Sequence, residues 1–138
     1  APDGYTMVLG VTGPLTIAPS INPQLAYDPL RDLVPVTLVA AVPSLIAVHP
    51  SVPARDLKEL IALAKSQPGK LTFASAGNGT SVHIAGELLK SMAGVDILHV
   101  PYKGGAESGL GLAAGDVDIS FQAPASALPF VQRIFLPF

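Results

Sequence analysis

The chain has 138 residues, 49% of them hydrophobic and only 13% charged, with 8 Lys+Arg against 10 Asp+Glu and a formal net charge of −2. A soluble domain ordinarily carries about 25% charged residues, so this chain is short of the residues that coat a surface. So few basic residues, never more than two together, exclude a nucleic-acid footprint or a polybasic membrane patch; the absence of cysteine excludes disulfides and thiolate metal sites.

The 13 Gly and 14 Pro are scattered between apolar runs and therefore punctuate structure. Residues 33–48 form the longest uncharged apolar stretch, but Pro35, Thr37, Pro43 and Ser44 interrupt it. It falls short of the ~20 apolar residues of a spanning helix. The opening Ala1-Pro2-Asp3-Gly4 carries neither Met nor a signal-peptide pattern and reads as the start of a cut or processed piece.

In chain order, residues 5–11 are β-rich and close at the turn signal Thr12-Gly13-Pro14. Residues 14–32 hold four prolines and read as loop with one short helical turn. The apolar β-branched runs 34–42 and 45–48 fit strands buried on both faces, bent at Pro43. Asp56-Leu57-Lys58-Glu59 resembles a capping box, and Leu57, Leu60, Ile61 and Ala64 make an apolar helical stripe ended by Pro68-Gly69. Residues 71–74 read as a strand. The turn Ser75-Ala76-Gly77-Asn78-Gly79-Thr80-Ser81 leads into a second helix whose stripe is Ile84, Ala85, Leu88, Leu89 and Met92, with Gly94 at a left-handed C-cap. A strand at 95–100 stops at Pro101; a helix at 105–114, a turn at Gly115-Asp116, a strand at 117–121 and a helix at 125–132 complete the chain. Strands alternating with helices predict an α/β domain with a parallel sheet.

Ligands of open α/β sheets bind beyond the C-terminal ends of the strands. There, the glycine turn offers close backbone approach at Gly77 and Gly79, donors at Asn78, Thr80 and Ser81, and the positive end of a helix suited to a carboxylate or phosphate. An ordinary turn with Thr80 or Ser81 as N-cap accounts for the same residues. The turn lacks the third glycine of a dinucleotide fingerprint, and neither a phosphate loop nor a nucleophile elbow occurs. Thr12-Gly13 and Tyr102-Lys103-Gly104-Gly105 are further candidate loops, with plain turns and a solvated Lys103 as the alternatives. His49, His83 and His99 have no metal-ligand spacing; His83 either reaches a ligand from the helix start or packs there. Asp116 and Asp118 fall on a turn and on a strand's polar side, which is no catalytic dyad, and no nucleophile, base and orienting group assemble. The chain is therefore expected to be no enzyme and to need no cofactor or metal.

Pro2-Asp3-Gly4-Tyr5-Thr6, Tyr27-Asp28-Pro29, Val48-His49-Pro50-Ser51, Ala74 through Thr80 and His99-Val100-Pro101-Tyr102-Lys103-Gly104 follow one another in an order and spacing that resembles the tripartite tricarboxylate transporter receptors, the Bug-type periplasmic solute-binding proteins. The likeness covers residues 2–132. It implies a type II, flytrap-like α/β receptor that holds a small di- or tricarboxylate between two lobes and delivers it to a membrane permease from the periplasm. Carried over, it places Thr12 and Gly13 in the first-lobe ligand loop, and Gly77, Asn78, Gly79, Thr80 and Ser81, with His83 and Tyr102 nearby, in the second. Members of that family are about twice as long and carry a signal peptide, and often place an Asp where this chain has Gln122, which weakens a preference for amino acids. The expectation is thus a truncated receptor: residues 1–42 a remnant of one lobe, residues 43–138 the other with a shortened end. Such a chain would bind weakly by itself and self-associate through exposed apolar surface. An interaction-only fragment and a small α/β enzyme using the Gly77–Ser81 turn are the alternative readings.

Overall fold

Two compact units divide the chain, Ala1–Leu38 and Val39–Phe138; the structure, a computed structural model, describes residues 4–129. Pro2-Asp3 and the expected helix end at 130–132, with the tail after it, lie outside the described residues.

In the first unit a π-helical turn, Gly13–Ile17, runs directly into helix α1, Ala18–Ile21. The Tyr27 hydroxyl donates to the Pro14 carbonyl at 2.8 Å. Two carboxylates close the following turn: Asp28 N–H donates to Asp32 Oδ2 at 2.7 Å, and Leu30 N–H to Asp28 Oδ1 at 2.9 Å. The strand expected at 5–11 does not form, nor does the one at 34–42, which runs across the division. A strand is defined by its ladder, and neither run has a partner strand among the described residues. Their side chains stay exposed, Met7, Leu9, Val34 and Val36 among them.

The second unit carries a four-stranded sheet: β1 (Leu45–Val48), β2 (Thr72–Ser75), β3 (Leu98–Pro101) and β4 (Ile119–Gln122), in spatial order β1-β4-β2-β3. Helices α2 (Leu57–Ser66), α3 (Ser81–Ala93), α4 (Gly105–Ala114) and α5 (Pro124–Ala127) lie between and after the strands. The α/β class holds, but the sheet is mixed. β2 pairs parallel with β3 and β4, whereas edge strand β1 runs antiparallel to β4, a common way to finish a parallel sheet. Burial on both faces describes central β4, all four residues of which are buried; only the second half of β1 is.

α2 begins as its sequence implies. Asp56 Oδ1 accepts the Glu59 N–H at 2.8 Å while Glu59 Oε2 accepts the Arg55 N–H at 2.7 Å, answering helix-start donors from both sides. Leu60 and Ala64 are buried in the core with Ile61 packed against it, whereas Leu57 of the expected stripe is exposed. α3 differs from its expected stripe: Ile84, Leu88 and Met92 are exposed. The face that packs is Val82, Ala85, Gly86, Leu89 and Ala93. Gly86 decides that rotation, because the Phe73 ring occupies the space a Cβ at this position would need. Phe73 is itself buried to 1% exposure and meets Phe121 edge-on at 5.7 Å. Beside this core a smaller one gathers Ala47, Ala74, Leu112 and Val117, with Val100 and Tyr102 packed on it.

Candidate functional site

The parallel register sets Ser75 beside Pro101 and Ala74 beside Ser120, so β2, β3 and β4 end on one edge of the sheet. α3, α4 and α5 start from that edge within a few residues of each strand. Their starts touch in sequence around it. A Cβ on Gly77 would come within 3.3 Å of the Tyr102 carbonyl oxygen, and one on Gly105 within 2.9 Å of Ser126 Oγ. The start of a full-length helix carries up to about half a positive charge on its unpaired N–H groups; at α4 Glu107 lies in that first turn, and at α3 no acid does.

The turn before α3 is built from specific bonds. Gly77 and Gly79 take φ of 124° and 73°, conformations that favour glycine. Thr80 is the N-cap: its hydroxyl donates to the Gly77 carbonyl at 2.7 Å and accepts the His83 N–H at 3.3 Å. The Gly77 N–H donates to Ser75 Oγ and the Gly79 N–H to His83 Nδ1, both at 3.2 Å. No hydrogen bond among the described residues uses the N–H of Asn78 or Ser81, and both residues are exposed. The first turn of α3 also holds no acidic residue. What the turn can do is chelate an anion through backbone donors.

The residues singled out from sequence thus sort by position. Gly77, Asn78, Gly79, Thr80 and Ser81 form one continuous turn. His83 lies under it, its ring stacked on His99 at 4.2 Å between centroids. The Tyr102 backbone joins the site, its N–H donating to the Ser75 carbonyl at 3.1 Å, but its ring lies over Gly111 of α4. The Lys103 N–H donates to Glu107 Oε2 at 3.0 Å. Thr12 and Gly13 open the π-helical turn of the other unit, where Thr12 makes no side-chain cap. His49 pairs locally, Nδ1 to Ser51 Oγ at 2.7 Å. Asp118 Oδ2 accepts both the N–H and the hydroxyl of Thr72, at 2.9 and 3.0 Å, a fastening between β2 and β4 rather than half of a dyad. No group of three potential metal ligands occurs among the described residues, and no helix among them is long and apolar enough to cross a membrane.

Sequence reasoning missed two clusters. His99 Nε2 lies 2.7 Å from Ser75 Oγ, with Phe73 stacked on its ring at 4.7 Å. Burial pushes the His99 pKa below the ordinary histidine value, His83 and Lys90 push the same way, and Glu87 opposes them. The second cluster is Gln122, 2% exposed. The amide orientation that satisfies its neighbours donates to the Gly105 carbonyl at 3.2 Å and accepts from Gly109 N–H at 3.1 Å, Ser108 Oγ at 2.8 Å and Ser120 Oγ at 2.6 Å. It ties β4 to the start of α4. The parallel register of β2 and β3, invisible in a single strand's spacing, was the signal that would have found the first cluster.

Comparison with known proteins matches residues 1–135 to the family described as Tripartite tricarboxylate transporter family receptor. A curated relative, the UPF0065 protein in the tcbD-tcbE intergenic region of Pseudomonas sp. (strain P51), is 42% identical over 124 residues, 90% of this chain and 37% of the relative. Among solved structures, one described as the structure of a periplasmic transporter superposes with TM-score 0.80 at 34% identity, covering 88% of this chain and 41% of that one. R. palustris Rpa4515 with adipate gives 0.72 at 35%, covering 78% and 37%. MatC (Rpa3494) from Rhodopseudomonas palustris with bound malate gives 0.75 at 29%, covering 86% and 41%. The chain spans about two-fifths of the length of these relatives. The family is one of solute-binding receptors and not of enzymes, which removes the enzyme reading of the glycine turn.

Proposed function

The chain belongs to the tripartite tricarboxylate transporter receptor family, and on that premise we propose that it captures a small di- or tricarboxylate at the edge where β2, β3 and β4 end, in the periplasm, for a membrane permease. One observation carries this reading: the α3 start presents the Asn78 and Ser81 N–H groups without a protein partner and without an acid in its first turn. A carboxylate there gains charge-assisted hydrogen bonds and the helix field together. In this reading Gly77 and Gly79 give the backbone its shape, Thr80 caps the helix, and His83 and Tyr102 hold the turn from below and beside. The two similar structures with adipate and malate support the choice of a dicarboxylate.

Receptors of this kind gain affinity by closing two lobes on the ligand, and this chain spans only part of its relatives, so binding by the chain alone is set at a Kd of about 1 mM or weaker. The test is titration of the 15N-labelled chain with malate, adipate and malamide. The amide signals of Asn78 and Ser81 should shift saturably with the two acids and stay fixed with the diamide. Equal shifts with malamide, or none with malate raised to about 100 mM at constant ionic strength, would end the proposal.

A second reading, an interaction-only role with self-association, draws on the exposed Ile84, Leu88 and Met92 of α3. A concentration-independent monomer in sedimentation would remove it.

A further inference from the structure

We infer that His83 is a positioning residue, one half of a clamp in which His83 Nδ1 holds Gly79, the Ser75 hydroxyl holds Gly77, and the stacked rings of His83 and His99 join the two. The claim extends the carboxylate reading, because it explains what fixes the turn that presents Asn78 and Ser81; the clamp itself is read without any ligand.

The chain of contacts is continuous. Phe73, pinned in the core against Phe121, stacks on His99 at 4.7 Å and 26°. His99 stacks in turn on His83 at 4.2 Å and 22°. Three rings therefore lead from the sheet to the glycine turn. Each histidine ends on a bond that reaches one glycine. His83 Nδ1 accepts the Gly79 N–H at 3.2 Å. His99 Nε2 meets Ser75 Oγ at 2.7 Å, and that oxygen is 3.2 Å from both the N and the O of Gly77. Glycines with positive φ have the most conformations to lose, so the two positions most in need of restraint are the two that are held.

The bonds also fix the tautomer. An imidazole nitrogen that accepts carries no hydrogen, so the ring hydrogen of His83 lies on Nε2. Protonating His99 would place a cation against the His83 ring; burial, His83 and Lys90 already disfavour it, with Glu87 opposing. The charged and titratable groups facing the pair are Glu87 and Lys90 of α3, linked to each other at 3.0 Å, and the two histidines themselves; β2 contributes Phe73 and Ser75, which do not titrate. Acid therefore works against the clamp at the His99 ring.

The test uses the chain as it stands, free of ligand, so its outcome holds whether or not malate binds. Amide hydrogen exchange at Gly79, corrected for intrinsic rate, is measured in wild type, His83→Asn and His83→Phe. Asparagine places Oδ1 where Nδ1 accepts; phenylalanine keeps a stacking ring and no acceptor. We expect wild type and His83→Asn to protect Gly79 about tenfold more than His83→Phe does, the worth of one net hydrogen bond. Phenylalanine protecting as wild type does, or asparagine losing as much as phenylalanine, overturns the clamp. A reading on wild type alone guards against a variant that fails to fold: the 15N shifts of His83 should show hydrogen on Nε2 at neutral pH, and hydrogen on Nδ1 overturns the proposal.

Discussion

α3 and α4 are built alike and begin differently. Each follows a parallel strand and a positive-φ glycine, Gly79 before α3 and Gly104 before α4, and each ends on a left-handed glycine, Gly94 at φ 61° and Gly115 at φ 82°. Each settles on the sheet through a glycine that meets an aromatic ring, Gly86 on Phe73 and Gly111 on Tyr102. At their starts they part. α3 has a hydroxyl cap and no acid in its first turn, whereas α4 has Gly104 for a cap and Glu107 folded back onto the Lys103 N–H. A carboxylate already stands at the α4 start; at α3 that place is open to one from outside. Similar framing with opposite first turns would let one sheet edge hold a structural helix, α4, beside the helix proposed to take the carboxylate, α3.

The largest test of this pairing is truncation of the two rings. Phe73→Ala should cost about 3–5 kcal/mol in urea unfolding, and Tyr102→Ala about 1–2 kcal/mol, since its ring is only half-buried; equal losses would mean that the two helices rest on the sheet in the same way. Next come the glycines. Gly86→Ala forces a methyl into a ring held by His99 and Phe121 and should cost about 1–3 kcal/mol, while Gly111→Ala meets the far end of a movable side chain and should lie near neutral in a thermal melt. At the helix starts, Thr80→Ala should lower stability by about 1 kcal/mol. Glu107→Gln should change it by about 0.3 kcal/mol, and a larger effect there than at Thr80 would invert the comparison. Smallest is a pH term confined to the α3 side. The folded chain holds His99 below its ordinary pKa, so the unfolded chain binds the extra proton and unfolding takes it up. This contribution is whole above pH about 6.5 and is lost as pH falls from there through the depressed folded value. His99→Gln should flatten that stretch of the stability–pH curve.

Where a signal was local, the sequence was readable. The Asp56–Glu59 box, the glycine turn into α3, the C-cap Gly94 and the turn at Gly115 all act within five residues of themselves. Features that need a partner were not readable. Residues 5–11 and 34–42 have strand composition but no ladder, and the antiparallel setting of β1 depends on β4, seventy residues away. Pro101 was expected to stop β3 yet is its last residue, since an edge position can lack an N–H and Tyr102 supplies the next bond to Ser75. The α3 stripe was drawn through Ile84, Leu88 and Met92 because hydrophobicity cannot rank a glycine as the deepest contact. Of the site, the glycine turn was legible. The His99–Ser75 pair was not, because 24 positions separate residues that the sheet register brings side by side.

The Gln122 knot bears on how this site can diverge. Its amide, two serine hydroxyls and two backbone groups of α4 satisfy one another in a space closed to water. Changing Gln122, Ser108 or Ser120 alone strands a buried donor or acceptor, so the three should show strong epistasis, with double and triple replacements costing less than the sum of singles. A lineage that re-tunes this end of the sheet is therefore expected to cross by concerted replacement, and a saturation library at position 122 alone should return mostly the parent residue.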